Sequence, residues 1–360
     1  MDESTQAQLK ALVASLENPH SGRPLGDSVR GLAVESGRVA VDIHLDYPAA
    51  GGREELAELV RSQLLVEPGV EAVTVDLDWS IPQHSVQDGL SPLHGVGNII
   101  AVASGKGGVG KSTVAANLAL ALQAEGARVG VLDADIYGPS QPRMLGMQGG
   151  PETTENRRIV PMSVHGLQAM SIGVLVKTDQ AMIWRGPMAT QALQQMVSET
   201  LWSDLDYLVV DLPPGTGDIQ LTLAQRIPVA GALAVTTPQE IAVDDVRRAV
   251  AMFGKVRIPM LGVIENMSTH ICSNCGHEEA IFGRGGGERI AAETGQSLLG
   301  QIPLDAGLGR STDEGAPIVA ADPDHPVSQR FRAIARRTAA RLATLSRNTT
   351  IRMPKIKIVD

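Results

Sequence analysis

The chain has 360 residues, and its 31 Lys and Arg against 40 Asp and Glu give a formal net charge of −9. This balance, with no long Lys/Arg block, argues against nucleic acid as a partner, because a nucleic-acid-binding surface needs a basic patch. No apolar run approaches the roughly 18 residues that a membrane span requires, and the first residues, MDESTQAQLK, do not have the basic and apolar pattern of a leader. We therefore expect a soluble, cytoplasmic protein with neither a nucleic-acid nor a membrane partner.

The first segment predicts a small α+β domain over residues 1–79. Apolar residues recur at helical spacing, then alternate with polar residues as in a half-buried strand, and both patterns then repeat. The helical sets lie in residues 9–16 and 56–64, and the alternating sets in residues 39–45 and 73–77. Residues 80–97 are rich in Pro, Gly, Ser and His and have no period, which predicts a linker.

Residues 98–360 follow a different pattern, in which short apolar strands alternate with longer helical segments. Several strands end in Gly, Asp, Thr or Asn, among them NIIAVASG, RVGVLDAD and DYLVVDLPPG. This alternation predicts an α/β fold, a mostly parallel sheet covered by helices on both faces. Ligands of such sheets bind beyond the carboxyl ends of the strands, so we expect the polar strand ends to line one site.

Directly after the first of these strands the sequence reads GKGGVGKST, which matches G-x-x-x-x-G-K-[ST] in the strand, loop and helix setting of a phosphate-binding loop. The glycines let backbone N–H groups turn toward phosphate oxygens, the next helix directs its positive end at them, and Lys111 adds a charge. Ser112 is expected to bind Mg²⁺ through its hydroxyl. The predicted nucleotide-binding residues of the loop are Gly105, Lys106, Gly107, Gly108, Val109, Gly110, Lys111, Ser112 and Thr113.

Three aspartates at strand ends are candidates for holding the metal and the attacking water. Asp211 ends a buried apolar strand, where a carboxylate is costly without a partner such as metal-bound water, so we predict it for the Walker B position. Asp133 and Asp135 end another strand. Either could hold a metal-bound water or orient the attacking water, and either could instead cap the next helix or turn.

The phosphate-binding loop carries a second lysine, Lys106, directly after its first glycine. In this respect the sequence resembles the P-loop ATPases with a deviant Walker A motif, the group of MinD, ParA and the nitrogenase iron protein. The resemblance implies a sandwich dimer in which Lys106 reaches the partner's nucleotide. It also implies that Asp135 orients the attacking water and that Asp211 is the switch II aspartate. Asn266, in IENM, matches the position that contacts adenine in this group. The candidate catalytic residues for ATP hydrolysis are therefore Lys106, Lys111, Asp135 and Asp211.

Cys272 and Cys275, in HICSNCGH, are the two cysteines of the chain. A redox pair of the thioredoxin type would open a helix in a thioredoxin-like unit, whereas this pair follows VIENMS. Zinc is a second alternative because His270 and His277 flank the pair, although the two-residue spacings would strain a closed site in one loop. A third is an iron–sulfur cluster of the cubane type, which usually takes four thiolates, shared across a two-fold dimer.

The motifs together resemble those of the Mrp/ApbC iron–sulfur cluster carriers, and the resemblance covers nearly the whole chain. The matching stretches are GKGGVGKST, DADIYGPS, DLPPGTGD, IENMS and C-x-x-C. The resemblance implies a homodimer that binds a [4Fe–4S] cluster on Cys272 and Cys275 of both chains and transfers it to apo iron–sulfur proteins, coupled to ATP. Many members begin with a small α+β domain that often has a cysteine after its central strand. Here Ala49 and Ala50 stand there, so a thiolate role for this domain is excluded.

Two other functions remain open at the level of sequence. A positioning ATPase of the MinD/ParA kind would explain the phosphate-binding loop but leaves Cys272 and Cys275 without a task. A nucleotide-binding protein with a structural zinc site would use the cysteines differently.

Overall fold

A computed structural model describes residues 3–175, 186–215, 217–272 and 274–347. The helices are α1 Glu3–Ser15, α2 Arg53–Leu64, α3 Lys111–Ala124, α4 Gln141–Met144, α5 Gly186–Glu199, α6 Asp218–Arg226, α7 Glu240–Lys255, α8 Gly286–Thr294, α9 Ala306–Asp313, α10 Ile318–Ala321 and α11 Pro326–Ala343. The strands are β1 Glu17–Asn18, β2 Arg23–Pro24, β3 Val29–Glu35, β4 Arg38–Leu45, β5 Ala72–Trp79, β6 Val96–Ala103, β7 Val129–Asp133, β8 Met162–Val164, β9 Leu167–Ser171, β10 Leu205–Asp211, β11 Gly231–Thr236, β12 Met260–Ile271, β13 Glu278–Glu279 and β14 Leu298–Leu304.

The amino-terminal segment forms a three-stranded sheet with α1 and α2 packed near it. Strand β4 lies in the middle, antiparallel to β3 and parallel to β5. Along β4 every second side chain is buried, which is the alternation that the sequence shows. The predicted helical and alternating sets fall in α1, α2, β4 and β5 and are confirmed, except that α1 ends one residue before Leu16. Strand β3 was not predicted.

The rest of the chain is built on a central sheet in the order β13, β12, β11, β6, β10, β7, β9 and β8, with β14 also paired to β12. The pairs along β14, β12, β11, β6, β10, β7 and β9 are parallel, and only the short strands β8 and β13 run antiparallel to their neighbours. The predicted mostly parallel α/β sheet, preceded by a small α+β region, is confirmed.

Helices cover both faces of this sheet. Alternate side chains of β6 point to opposite faces, so Ile100 and Val102 join the core that contains α3 and α11, while Ile99 and Ala101 join the core that contains α5 and α6. No helix in the described ranges is both long and apolar enough for a membrane crossing.

A buried carboxylate joins the amino-terminal segment to the end of α3, the helix that begins in the phosphate-binding loop. Glu125 is fully buried, and it accepts hydrogen bonds from Arg332 Nε and Arg336 Nη1 on α11, both at 2.8 Å. Its Oε2 also accepts from the Gly51 N–H at 2.7 Å, and its carbonyl oxygen accepts from the Ala50 N–H at 3.1 Å. The stretch with Ala49 and Ala50 therefore docks on the part of the chain that forms the large parallel sheet and its helices. The division into residues 1–79, 80–97 and 98–360 stays a prediction.

Glu125→Ala is expected to lower the free energy of unfolding by about 3–5 kcal/mol, because it leaves two guanidinium groups without their buried partner. The matched control is Glu58→Ala, which removes an exposed carboxylate paired with Arg61 and should cost at most about 1 kcal/mol. Urea unfolding of both variants measures the difference. Equal, small losses would mean that the Glu125 pairs contribute little.

Candidate functional site

The phosphate-binding loop connects β6 to α3 at the carboxyl edge of the sheet. A cavity of about 260 Å³ lies over it, and Lys106, Lys111, Ser112 and Asp135 are among its lining residues. Gly108 has φ 83°, and a Cβ added there would meet no atom within 4 Å, so its backbone faces open space. The loop therefore has the shape of a cradle for an anion at the start of a helix.

At the end of the phosphate-binding loop, the backbone of Gly110 packs closely against the side chain of Asn266. Gly110 has φ 78°, and an added Cβ would lie 2.3 Å from Asn266 Nδ2, so both conformation and space require glycine there. Asn266 is buried and donates through Nδ2 to the Val109 carbonyl at 2.9 Å. The structure thus packs Asn266 against the phosphate-binding loop, and its predicted contact with adenine stays a prediction.

The ammonium of Lys111 stands between two of the residues predicted to hold Mg²⁺. It forms an ion pair with Asp211 Oδ1 in which both side chains are buried, and it lies 3.3 Å from the Ser112 hydroxyl. A buried carboxylate needs a charge partner, and this lysine supplies it. The sequence prediction that Asp211 has a polar partner at the end of β10 is consistent with this pair.

The aspartate that ends β7, Asp133, and the one two residues later, Asp135, have different surroundings. Asp133 is fully buried and accepts hydrogen bonds from the Asp135 N–H, the Gln141 N–H and the Ser171 hydroxyl, at 3.1, 3.1 and 3.0 Å. Burial first and the charge of Asp211 second raise the pKa of Asp133. Its contacts are those of a residue that holds the turn together, which was one of the roles that the sequence left open.

Asp135 lines the cavity over the loop, and one of its carboxylate oxygens accepts from the Gly138 N–H at 3.3 Å. Burial raises the pKa of its carboxyl, and the nearby charge of Lys111 opposes that rise. Of these two aspartates, Asp135 is therefore the one that lines the cavity over the phosphate-binding loop, where a nucleotide and a water molecule can enter.

Gln141, at the start of α4, is part of the same arrangement and was not predicted from the sequence. Its Nε2 donates to the Ser112 carbonyl at 3.0 Å and to Asp211 Oδ2 at 2.9 Å. A glutamine after GPS has no motif that marks it, because the contact depends on how the chain folds back after β7. The one sequence signal for Gln141 is that a polar residue lies close after a strand end that was predicted to line the site.

The two cysteines lie in the turn of a hairpin formed by the end of β12 and β13. The Cys272 N–H donates to the His277 carbonyl at 2.9 Å, and the Gly276 N–H donates to the Cys272 carbonyl at 2.8 Å. Cys272 is partly exposed and Cys275 is exposed, and both are free thiols. Hydrogen bonds from the backbone N–H groups of Asn274 and Cys275 lower the pKa of the Cys272 thiol, which favours the thiolate that binds metal.

The histidines that flank the cysteines do not complete a metal site with them. His270 lies in β12, paired with Glu279 of β13, and His277 follows the turn. Within the described ranges, no three His, Cys, Asp or Glu side chains stand close enough together to hold a metal ion. In the described part of the chain, the two cysteines are therefore adjacent free thiols without a third His, Cys, Asp or Glu ligand gathered beside them.

One strand joins the nucleotide and cysteine sites. Strand β12 carries Asn266 against the phosphate-binding loop and ends at Ile271, directly before Cys272. Six residues of extended chain span about 20 Å. The strand is irregular between these points, where Met267 has φ 55° and the pairing with β14 shifts register.

Known protein families match the chain over most of its length. The profile described as NUBPL iron-transfer P-loop NTPase matches residues 95–339, and the profile described as iron-sulfur cluster assembly protein matches residues 6–77. The iron-sulfur cluster carrier protein of Escherichia coli strain K12 is 54% identical over 290 residues, which cover 80% of this chain and 79% of that protein. The chain belongs to the iron–sulfur cluster carrier family.

Other relatives agree with this family. The iron-sulfur cluster carrier protein of Haemophilus influenzae is 47% identical over 340 residues, 94% of this chain and 92% of that protein. A nucleotide-binding protein of Archaeoglobus fulgidus, solved in complex with ADP, has a TM-score of 0.55 and 37% identity, and the match covers 61% of this chain and 87% of that one. The cell division ATPase MinD of Pyrococcus furiosus has a TM-score of 0.51 at 22% identity, covering 67% of this chain and 98% of that one, so it shares the fold.

The carrier is therefore a P-loop NTPase, and its predicted resemblance to the Mrp/ApbC carriers is confirmed. Its residues fit a magnesium nucleotide by three observations: an open glycine cradle, a lysine at its base, and a serine hydroxyl and a buried aspartate on either side of that lysine. Mg²⁺ would be held by Ser112 and by Asp211, and it would neutralise charge on the phosphate oxygens.

Proposed function

We propose that two copies of this carrier bind one [4Fe–4S] cluster between their Cys272 and Cys275 thiolates and pass it to apo iron–sulfur proteins, with ATP binding and hydrolysis controlling the exchange. The observation that carries the proposal is a pair of free thiols, one exposed and one partly exposed, directly after β12, the strand that also contacts the phosphate-binding loop. A cluster carrier needs its ligands at the surface, because the cluster must leave.

The homodimer follows from the number of ligands. A cubane cluster usually takes four thiolates, each chain has two cysteines, and the described part of one chain offers no third metal-ligating group beside them. A two-fold axis near the hairpins would bring the two pairs together.

The nucleotide half of the proposal uses the residues around the loop. Lys111 is expected to leave Asp211 for the phosphate oxygens, which frees Asp211 and Ser112 to hold the metal. Asp135 is expected to orient the attacking water, since its carboxyl lines the cavity over the loop. Lys106 is half-buried and, in the described ranges, within ion-pair distance of no carboxylate, so its charge is available to a partner's nucleotide.

The path between the sites is β12. A change in the phosphate-binding loop is expected to act on Asn266 through the hydrogen bond between Asn266 and the Val109 carbonyl. Asn266 lies on β12, six residues before Cys272, which directly follows the strand. We propose that nucleotide binding alters the distance or angle between the two cysteine pairs of the dimer through this strand, and so changes the affinity for the cluster.

The family assignment favours the carrier over a MinD/ParA-like positioning ATPase, which shares the fold and gives the cysteines no role. A structural zinc site within one chain is also disfavoured, because His270 and His277 do not gather with the cysteines in the described part of the chain.

A transfer assay tests the proposed function. The protein is reconstituted anaerobically with iron and sulfide, mixed with an apo iron–sulfur protein, and separated from it before iron, sulfide and zinc are measured in each. Iron and sulfide are expected to move to the acceptor together, and ATP is expected to change the rate. Stoichiometric zinc with no sulfide would contradict the proposal, and so would a cluster whose transfer does not respond to ATP.

A further inference from the structure

Gln141 links the two groups that we assign to Mg²⁺, and its environment is unusual for a glutamine. The side chain is 1% exposed, and both hydrogens of its amide are used, one on the Ser112 carbonyl and one on Asp211 Oδ2. Its own backbone N–H donates to Asp133 Oδ2. One residue of α4 therefore ties the first turn of α3, the end of β10 and the end of β7 to one another.

The orientation of this amide follows from its partners. Two acceptors, a carbonyl and a carboxylate, face the same atom, so that atom must be the nitrogen, since an oxygen there would meet two oxygens. The amide oxygen Oε1 is buried and has no hydrogen-bond partner, and the same holds for the hydroxyl of the adjacent Ser140.

The contacts of Asp211 show what Gln141 contributes to this arrangement. Its two carboxylate oxygens are held from two sides, Oδ1 by the ammonium of Lys111 and Oδ2 by the amide of Gln141. If Lys111 moves to the phosphates of a nucleotide, the buried carboxylate loses its cation. The Gln141 N–H then remains the contact that keeps the carboxylate in place, and a hydrogen bond to a charged group in a buried setting is strong enough to do so.

We propose that Gln141 is a positioning residue for the magnesium site: its amide holds Asp211 and the first turn of α3, which carries Ser112, at a fixed separation while Lys111 changes partners. This inference rests on the proposed function, because it takes Ser112 and Asp211 as the magnesium-holding pair. Gln141 does not line the cavity over the phosphate-binding loop, so we expect it to act through those two residues.

Gln141→Met tests the proposal, because methionine has a similar length and no N–H donor. The affinity for a fluorescent ADP analogue is measured in EDTA and then as Mg²⁺ is titrated. In EDTA the variant should match the wild type within about twofold, whereas the Mg²⁺ concentration for half-maximal tightening should rise about tenfold or more, the effect of losing a hydrogen bond to a charged group. Arg143→Gln, on the same helix but exposed, is the matched control and should behave as wild type.

Two results would overturn the proposal: an unchanged Mg²⁺ dependence in Gln141→Met, or an equal loss of affinity with and without Mg²⁺, which would mean that Gln141 only shapes the loop. Thermal unfolding checks that the variant folds. If it does not, Gln141→Asn carries the same test, because its amide is one methylene too short to reach both partners. A wild-type protein that binds no nucleotide in Mg²⁺ would contradict the proposed function itself, a result distinct from failure of the glutamine.

Discussion

Cys272→Ser and Cys275→Ser are each expected to abolish cluster assembly, with iron and sulfide falling to background after anaerobic reconstitution. Each change removes one thiolate per chain and two per dimer, which leaves a cubane cluster with half of its ligands. The turn that carries the cysteines is held by backbone hydrogen bonds between residues 272, 276 and 277, so neither substitution should disturb the fold. Nucleotide binding should be unchanged, since the cysteines do not line the cavity over the phosphate-binding loop.

His277→Ala is the matched control for the cysteine variants, because it changes a neighbouring side chain that could bind zinc. The cluster proposal expects normal iron and sulfide in this variant. Full iron content in either serine variant would contradict the shared-cluster proposal. If His277→Ala and both serine variants all lose bound zinc, the result would instead support a zinc site.

Lys111→Ala is expected to have two separate effects. ATP hydrolysis should fall by at least about a hundredfold, because the charge that stabilises the phosphate oxygens is gone. The free energy of unfolding of the nucleotide-free protein should also fall by about 3–5 kcal/mol, because Asp211 is fully buried and loses its cation. ATPase rates and urea unfolding measure the two effects, and cluster assembly should persist.

Two further variants separate these effects. Lys106→Ala should lose hydrolysis without the loss of stability, since Lys106 forms no ion pair in the described ranges. Adding Asp211→Asn to Lys111→Ala removes the unpaired charge, so it should restore most of the stability and none of the hydrolysis. If Lys111→Ala hydrolyses ATP at the wild-type rate, the phosphate-binding loop is not the working site.

The fold could be predicted from sequence wherever periodicity is strong. Strand β4 alternates cleanly, and residues 99–103 of β6 are a continuous apolar run, so the small sheet and the parallel sheet were both predictable. Strand β3, VRGLAVE, was missed because its alternation is irregular: the buried Val29 and Leu32 are three positions apart, and the pairing shifts register between Val29 and Gly31. Strand order and the docking of Ala50 and Gly51 on Glu125 depend on contacts between distant residues, which a local pattern does not encode.

The candidate site divides in the same way. The phosphate-binding loop and the cysteine pair were predictable because their chemistry requires fixed residue types at fixed spacing. The pairing of Lys111 with Asp211 and the contact of Asn266 with Val109 were not, since each joins residues at least 100 positions apart. Gln141 was missed because no motif marks it and its partners Ser112 and Asp211 lie 29 and 70 positions away, so its contacts became visible only in the folded structure.

The central claim is that two chains share one cluster, and the mass of the intact loaded protein tests it most directly. Anaerobically reconstituted protein is measured by native mass spectrometry, which reports the number of chains and the mass of the bound inorganic species together. The account predicts a species of two chains with one four-iron, four-sulfide cluster, which is absent from Cys272→Ser. A cluster bound to a single chain, or two chains that each hold a metal ion without sulfide, would contradict it.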